Sequence, residues 1–329
     1  KRQQSADRTP APLDGQPHVV IVGAGFGGLA CAHALGGSAA RVTVVDRRNY
    51  NLFVPLLYQV ATAALSPADI ATPIRRVLAR FKNIDVIMAE VVGLDLKAKR
   101  VRLADKGHVP FDILVLATGS VYNYFGHEDW ARNAPGLKTI DNARSIRGRI
   151  LQAFEDAEKA RDPDRQAELM TVAIVGGGPT GVEIAGAISE LARHSLASDF
   201  QRIDPEAARI LLIEAGPKLL AHFPDPLPAY ALKTLQSAGV EVRLNTKVEA
   251  IEPAAIRAGG EHIRAATIVW GAGIRGGDGA GWVKAPADHA GRIRVAPDLS
   301  VPGTDGIYAL GDLASLGQVD VIFCRNVLI

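Results

Sequence analysis

Short apolar runs rich in valine, isoleucine and leucine alternate with polar and glycine-rich stretches along the chain, and two of these runs lead into the same pattern. Residues 18–22 and 171–175 each precede a Gly-x-Gly-x-x-Gly sequence, and an alanine-rich segment follows both. The pattern predicts a buried strand, a tight glycine turn and a helix in each place. Because similar elements then follow both loops, the sequence indicates a duplication at the scale of a domain.

Each repeat continues with a helix, a strand, an alternating stretch and a last apolar strand. In the first repeat the helix extends to about residue 35, the strand covers residues 41–46, the alternating stretch residues 85–103 and the last strand residues 111–119. In the second repeat the helix extends through residue 191, and the corresponding elements cover residues 209–214, 240–256 and 267–271. The sequence therefore predicts an α/β fold with two Rossmann-like domains, each with a β meander.

The segments around the second repeat contain weaker signals. Residues 154–160 have helical spacing, whereas the polar, proline-bearing residues 162–168 predict a loop before the second repeat's first strand. Further along, residues 229–238 predict a helix that Gly239 ends as its cap.

Composition narrows the classes of function. The 329 residues are 48% hydrophobic and 22% charged with a formal charge of +2, so nothing points to a nucleic-acid partner. The two cysteines, Cys31 and Cys324, exclude a disulfide scaffold, a cysteine zinc site and a redox-active C-x-x-C pair, and fit a reducing cytosol. No metal site is predicted. Residues 19–40 are uncharged enough to suggest a membrane span, but six glycines divide them into strand, loop and helix.

The two glycine loops predict dinucleotide binding. Their glycines allow a tight turn and close backbone approach to a pyrophosphate, and the following helix N-terminus faces the anion. The next strand of each repeat ends on a carboxylate, Asp46 or Glu214, as expected for a residue that accepts hydrogen bonds from an adenosine ribose. Such acids also serve as caps or surface charges, but their position after the loops favours binding. Glu214 would repel a 2′-phosphate and so favour NADH over NADPH.

Two shorter motifs and one long segment point to a family. Ala117-Thr118-Gly119 and Gly311-Asp312 each close an apolar strand and resemble signatures of flavoproteins that bind two dinucleotides. Residues 51–75, together with residues 178–186 and Tyr124-Phe-Gly, resemble the type II NADH dehydrogenases, which are single-subunit NADH:quinone oxidoreductases of the FAD/NAD(P)-linked reductase superfamily. The resemblance extends from about His18 to Ala314.

The resemblance implies non-covalent FAD on the first repeat, NADH on the second with its nicotinamide stacked on the flavin, and a membrane quinone as electron acceptor. Residues 1–16 are polar and contain proline, which predicts a disordered tail. The resemblance implies FAD-binding segments at residues 17–127 and 283–329, and an NADH-binding domain at residues 128–282. The residues expected to contact FAD are Gly23, Gly25, Phe26, Gly27, Gly28, Asp46, Arg47, Ala117, Thr118, Gly119, Gly311 and Asp312. Those expected to contact NADH are Gly176, Gly178, Pro179, Thr180, Gly181, Glu183, Glu214 and Gly273.

Glu183 is the candidate catalytic residue. It matches the family's carboxylate on the first turns of the NADH-domain helix, where it would orient NADH or relay a proton to the quinone. A glutamate near a helix N-terminus is also favourable for electrostatic reasons alone. Tyr58 and Gln59 would line the far side of the flavin, but an apolar run with one aromatic residue is more typical of plain core.

After about residue 315 the family pattern stops. Family members continue with a helix that covers the flavin and then with amphipathic helices that attach to the inner face of the cytoplasmic membrane, whereas residues 317–329 look unrelated. The sequence therefore predicts a C-terminally truncated chain that lacks the anchor and passes electrons to small diffusible acceptors faster than to long-tailed quinones.

Two alternatives remain open at this stage. One is a related reductase that serves a ferredoxin or a rubredoxin, against which residues 51–75 argue. The other is a truncated chain that binds nucleotide without quinone turnover. A sulfide:quinone oxidoreductase is disfavoured, because its chemistry needs paired cysteines. The resemblance also leaves a homodimer open.

Overall fold

The computed structural model describes residues 15–316, and all structural statements below concern that range. The predicted N-terminal tail lies almost entirely outside the described residues, and so does the segment after Leu316 in which the family pattern stops.

The described part of the chain alternates short strands with helices. The strands are β1 (His18–Val22), β2 (Arg41–Asp46), β3 (Tyr50–Leu52), β4 (Ala71–Pro73), β5 (Ile84–Met88), β6 (Val91–Asp95), β7 (Arg100–Leu103), β8 (His108–Pro110), β9 (Ile113–Leu116), β10 (Ser120–Tyr122), β11 (Thr171–Val175), β12 (Arg209–Ile213), β13 (Val240–Arg243), β14 (Val248–Glu252), β15 (Ala255–Ala258), β16 (Glu261–Arg264), β17 (Thr267–Trp270), β18 (Ile274–Gly276), β19 (Ile293–Arg294), β20 (Ile307–Ala309) and β21 (Ala314–Ser315). The α-helices are α1 (Phe26–Leu35), α2 (Leu57–Ala61), α3 (Ile74–Leu78), α4 (Ile140–Lys159), α5 (Pro163–Leu169), α6 (Pro179–Glu190), α7 (Leu227–Ser237) and α8 (Gly279–Val283).

The first of two structural units contains residues 15–52, 71–121 and 274–316. Its main sheet is parallel, with the strand order β20-β9-β1-β2-β5. All five residues of β1 are buried, because the sheet is covered on both faces, and this explains the continuous apolar run in the sequence. An antiparallel meander of β6, β7 and β8 completes the unit as predicted.

The second unit contains residues 53–70 and 122–273 and repeats this plan. Its parallel sheet has the order β13-β12-β11-β17, with β11 as fully buried as β1 in the first unit. The strands β14, β15 and β16 form the second predicted meander. The α/β fold with two Rossmann-like units is therefore confirmed.

The unit boundaries differ from the predicted domain boundaries by a few residues at 122–127 and 274–282, and by one internal segment, residues 53–70. Residues 53–70 were expected to stay with the FAD-binding segment 17–127, but they group with the second unit. The physical reason is that α2, in the middle of this segment, contacts α4 and α6 of the second unit. Chain order alone does not reveal this grouping, since the contacts join residues about 90 to 130 positions apart.

The loop predicted for residues 162–168 is wrong, because α5 occupies residues Pro163–Leu169. Asp162 caps this helix by accepting a hydrogen bond from the backbone N–H of Asp164, and Pro163 stands in its first turn, where a missing N–H costs nothing. The same residues that suggested a loop are thus a helix start.

Residues 19–40 form β1, the glycine loop and α1 rather than one long helix, as predicted from their glycines. Among residues 15–316, the structure has no helix with both the length and the apolar character required to cross a bilayer.

Candidate functional site

The first glycine loop is held by a carboxylate at the end of the neighbouring strand. Asp46, the last residue of β2, accepts hydrogen bonds from the backbone N–H of Ala24 at 2.7 Å and from that of Arg48 at 2.7 Å. The N–H of Gly23 donates to the carbonyl of Val45 at 2.8 Å. These bonds fix the turn that leads from β1 into α1.

The second glycine loop has the same arrangement. Glu214, directly after β12, accepts hydrogen bonds from the N–H of Gly177 at 2.5 Å and from that of Gly216 at 2.6 Å. The N–H of Gly176 donates to the carbonyl of Ile213 at 2.8 Å, matching the bond between Gly23 and Val45. The duplication seen in the sequence thus extends to individual hydrogen bonds.

The glycines of each loop fall into two groups. A Cβ at Gly28 or at Gly181 would lie 1.8 Å from a carbonyl oxygen of its own loop, so the fold itself requires glycine there. A Cβ at Gly25 or at Gly178 would meet no protein atom within 4 Å, and both residues have negative φ angles that other residues adopt freely. Neither strain nor protein contact explains these two glycines, whereas close approach of a ligand phosphate does. The loops therefore fit the two dinucleotides.

The other predicted FAD residues lie in the first unit around the carboxyl ends of its strands. A Cβ at Gly27 would lie 3.5 Å from the Cα of Gly311, so the strand end at β20 borders the first turn of α1. Asp312 accepts a hydrogen bond from the Ser120 hydroxyl at 2.8 Å. The hydroxyl oxygen of Thr118, in the motif that follows β9, is buried and has no hydrogen-bond partner among residues 15–316. An unpaired buried hydroxyl is a polar group that a bound ligand can satisfy.

Two further FAD candidates flank these motifs. Phe26, at the start of α1, is 41% exposed, and Arg47, directly after Asp46, is also exposed.

The remaining NADH candidates lie in the second unit around its own glycine loop. The loop after β17 borders it, because the N–H of Gly271 donates to the carbonyl of Val175 at 2.7 Å and a Cβ at Gly176 would lie 2.6 Å from the nitrogen of Ala272. Gly273 ends this segment with φ at +68°, in the left-handed region that favours glycine. Pro179 and Thr180 form the first turn of α6.

Glu183 stands one turn into α6 and lines a groove of about 750 Å³ in the second unit. The groove is formed by α2, α6, α7 and the π-helical turn Leu191–Ser195 that follows α6. The carboxylate reaches solvent, yet the surrounding protein atoms partly desolvate it and raise the pKa of Glu183. A glutamate with a raised pKa keeps a proton available for transfer at higher pH than usual.

Tyr58 and Gln59 lie in this groove rather than in the core. Both residues are half-buried, and they line the groove from α2, whereas Glu183 lines it from α6. The apolar run around these two residues is more typical of a core segment, which is why the sequence favours a core role for them. The polar groups of Tyr58 and Gln59 within this run are the sequence signal for a groove surface.

The chain matches a protein family and individual proteins of known function. The family model described as pyridine nucleotide-disulphide oxidoreductase matches residues 17–323. The type II NADH:quinone oxidoreductase Ndh of Mycobacterium tuberculosis is 41% identical over 313 residues, which cover 92% of this chain and 68% of the relative. The chain belongs to the type II NADH:quinone oxidoreductases. NdhA of the same organism is 42% identical over 322 residues, covering 92% of this chain and 67% of the relative.

Solved structures support the fold. NDH2 from Plasmodium falciparum in complex with NADH has a TM-score of 0.83 and 23% identity, covering 91% of this chain and 64% of that chain. The sulfide:quinone oxidoreductase of Aquifex aeolicus has a TM-score of 0.73 and 20% identity, with 91% and 69% covered. The chain thus has the fold of this reductase superfamily and spans about two thirds of the length of these relatives.

Proposed function

We propose that this chain oxidises NADH, bound by the second unit, and passes the electrons through FAD, bound by the first unit, to a quinone. The observation that supports this most strongly is the repeated loop, braced by Asp46 in one unit and by Glu214 in the other, with an open glycine in each. The family membership supplies the reaction. A ferredoxin or rubredoxin reductase is not favoured, because the curated relatives act on quinones.

FAD, when bound, supplies the two-electron chemistry that joins the two substrates. The residues of the first unit would hold it: the amides of the first glycine loop and of the start of α1 would bind its pyrophosphate, and Asp46 would bind its adenosine ribose. The hydroxyl of Thr118 and the carboxylate of Asp312 would contact the other parts of FAD. The protein thus contributes binding and orientation.

The protons of the reaction assign a role to Glu183. A quinone becomes a quinol by gaining two electrons and two protons, whereas the hydride of NADH brings two electrons and one proton. The second proton must come from the protein or from water. Glu183, with its raised pKa and its place in a groove lined by Tyr58, supplies it to the quinone oxygen.

Stopped-flow absorbance tests these roles separately. Mixing the flavin-loaded protein with NADH in the absence of oxygen should bleach the flavin bands, and adding menadione should restore them. The variant Glu183→Gln should bleach at nearly the normal rate and reoxidise more slowly. A protein that is not bleached by NADH contradicts the proposed function, and equal reoxidation by both proteins contradicts the role of Glu183 alone.

We also propose that full-length members of this family work at the inner face of the cytoplasmic membrane as peripheral proteins, and that this chain forms a homodimer. The support is the family's acceptor, a quinone, whose long-tailed forms dissolve in lipid. Flotation with liposomes measures the first property and sedimentation velocity the second. A full-length relative that stays at the bottom of the gradient contradicts the membrane proposal, and sedimentation of this chain as a monomer at micromolar concentration contradicts the homodimer.

A further inference from the structure

Phe125 is an exposed aromatic residue held in an unusual backbone conformation. The residue is 62% exposed, and its φ angle of +54° lies in the left-handed region that residues with a Cβ rarely adopt. The side-chain oxygen of Asn123 accepts a hydrogen bond from the N–H of Phe125 at 2.8 Å and so closes the turn. The fold thus keeps an apolar ring in solvent at a conformational cost, which core formation does not explain.

The turn is hydrogen-bonded to the carboxyl end of β17 and to the loop that follows it in the second unit. The N–H of Asn123 donates to the carbonyl of Gly273 at 3.3 Å, and its carbonyl accepts a hydrogen bond from the indole N–H of Trp270 at 3.1 Å. Burial raises the pKa of Tyr122, and a hydrogen bond with the side chain of Thr180 opposes this shift. The segment that contains Phe125 therefore touches both α6 and the loop after β17.

The ring of Phe125 lies against Gly273. A Cβ at Gly273 would come within 2.5 Å of the ring's outermost carbon atom. The ring also meets Trp270 edge-on, with centroids 6.3 Å apart and planes at 60°. These contacts fix the ring on one side and leave its other surface in solvent.

The strand order shows which half of a dinucleotide reaches this ring. Glu214 directly follows β12, the glycine loop follows β11, and Gly271–Gly273 follows β17 on the opposite side of β11 from β12. A dinucleotide whose adenosine ribose meets Glu214 and whose pyrophosphate meets the glycine loop must extend its second half over the end of β17. That end lies two strand spacings, about 10 Å, from β12.

We infer that Phe125 forms an aromatic contact with the nicotinamide half of NADH. The inference rests on the proposed function, since it requires NADH to occupy the second unit. The exposed ring covers the nicotinamide nucleoside and holds it at the end of β17, whereas the adenosine half depends on Glu214. Phe125 is therefore a binding and positioning residue for the hydride donor.

Calorimetric titration of the FAD-loaded protein with NAD⁺ and with ADP tests this inference, because ADP lacks the nicotinamide half. Removing an aromatic stacking contact costs about tenfold in affinity. The variant Phe125→Ala should therefore raise the dissociation constant of NAD⁺ about tenfold and leave that of ADP within about twofold. Phe125→Tyr should bind both normally, and Phe125→Leu, which keeps an apolar side chain without a ring, should resemble the alanine variant for NAD⁺.

Val92→Ala serves as the control, because Val92 is a 50% exposed apolar residue on the meander of the first unit. It should change neither constant. An unchanged NAD⁺ affinity in Phe125→Ala overturns the inference, and so does an equal loss for NAD⁺ and ADP, which would show that the ring only supports the loop. Failure of the unaltered protein to bind either ligand contradicts the proposed function instead.

Discussion

Replacing Glu214 by glutamine tests how one carboxylate serves both loop geometry and choice of nucleotide. In the native protein its two oxygens accept the N–H groups of Gly177 and Gly216 at 2.5 and 2.6 Å. A glutamine side chain has one acceptor oxygen, so its NH₂ group must face one of these N–H donors. The change removes the negative charge and one of the two bonds that hold the loop.

The substitution has two effects: losing the hydrogen bond weakens the reaction with NADH, and losing the charge removes a repulsion that acts on NADPH. A hydrogen bond to a charged group contributes about 1.5–3 kcal/mol, so losing one should lower kcat/KM for NADH about tenfold or more. A 2′-phosphate about 5 Å from the carboxylate is repelled by about 3 kcal/mol at an effective dielectric constant of about 20, and solvent at this half-buried site reduces the repulsion further. Removing the charge should therefore narrow the preference for NADH over NADPH about tenfold.

Steady-state reduction of menadione with each nucleotide measures both effects. The matched control is Asp46→Asn, because Asp46 makes the same kind of bonds in the first unit. That variant should release FAD more readily and leave the ratio of the two nucleotides within about twofold. Equal use of NADH and NADPH by the unaltered protein, or an unchanged ratio in Glu214→Gln, would refute the reasoning.

Three further predictions concern the loops, Glu183 and the flavin. Gly178→Ala should keep the thermal unfolding midpoint within about 2 °C and weaken NAD⁺ binding about tenfold or more. Gly181→Ala, whose Cβ would lie 1.8 Å from a carbonyl oxygen, should instead lower the free energy of unfolding by about 1–3 kcal/mol or more. Melting curves and titration with NAD⁺ distinguish the two variants, and a normal NAD⁺ affinity in Gly178→Ala would contradict the role given to this glycine. Because the pKa of Glu183 is raised, its protonated form is lost only as the pH rises through that higher value, and quinone reduction should decline there. Glu183→Gln should abolish this alkaline limb of the pH–rate profile. An alkaline limb that persists in the variant excludes Glu183 as the proton donor. The FAD should be non-covalent, since no histidine or cysteine lies in the flavin-contacting motifs, and acid precipitation should leave all yellow colour in the supernatant; colour in the pellet would show a covalent link.

The amino-acid sequence by itself determined the elements that depend on local spacing and local chemistry. Continuous apolar runs gave the buried strands β1 and β11, and glycines at fixed intervals gave the turns after them, because few residue types fit such turns. The strand-ending acids Asp46 and Glu214 were found for the same reason. The resemblance of residues 51–75 to a known family indicates the reaction without any knowledge of the tertiary structure.

Tertiary structure alone decided features that depend on contacts between distant parts of the chain. The helix α2 groups with the second unit through contacts with α4 and α6, and this places Tyr58 in the groove that Glu183 lines. The ring of Phe125 stands beside Gly273, which is 148 positions away in the chain. Periodicity reports which side of an element is apolar, but it does not specify the partner that covers that side. Only folding brings these residues together, because burial is shared between segments that the sequence keeps far apart.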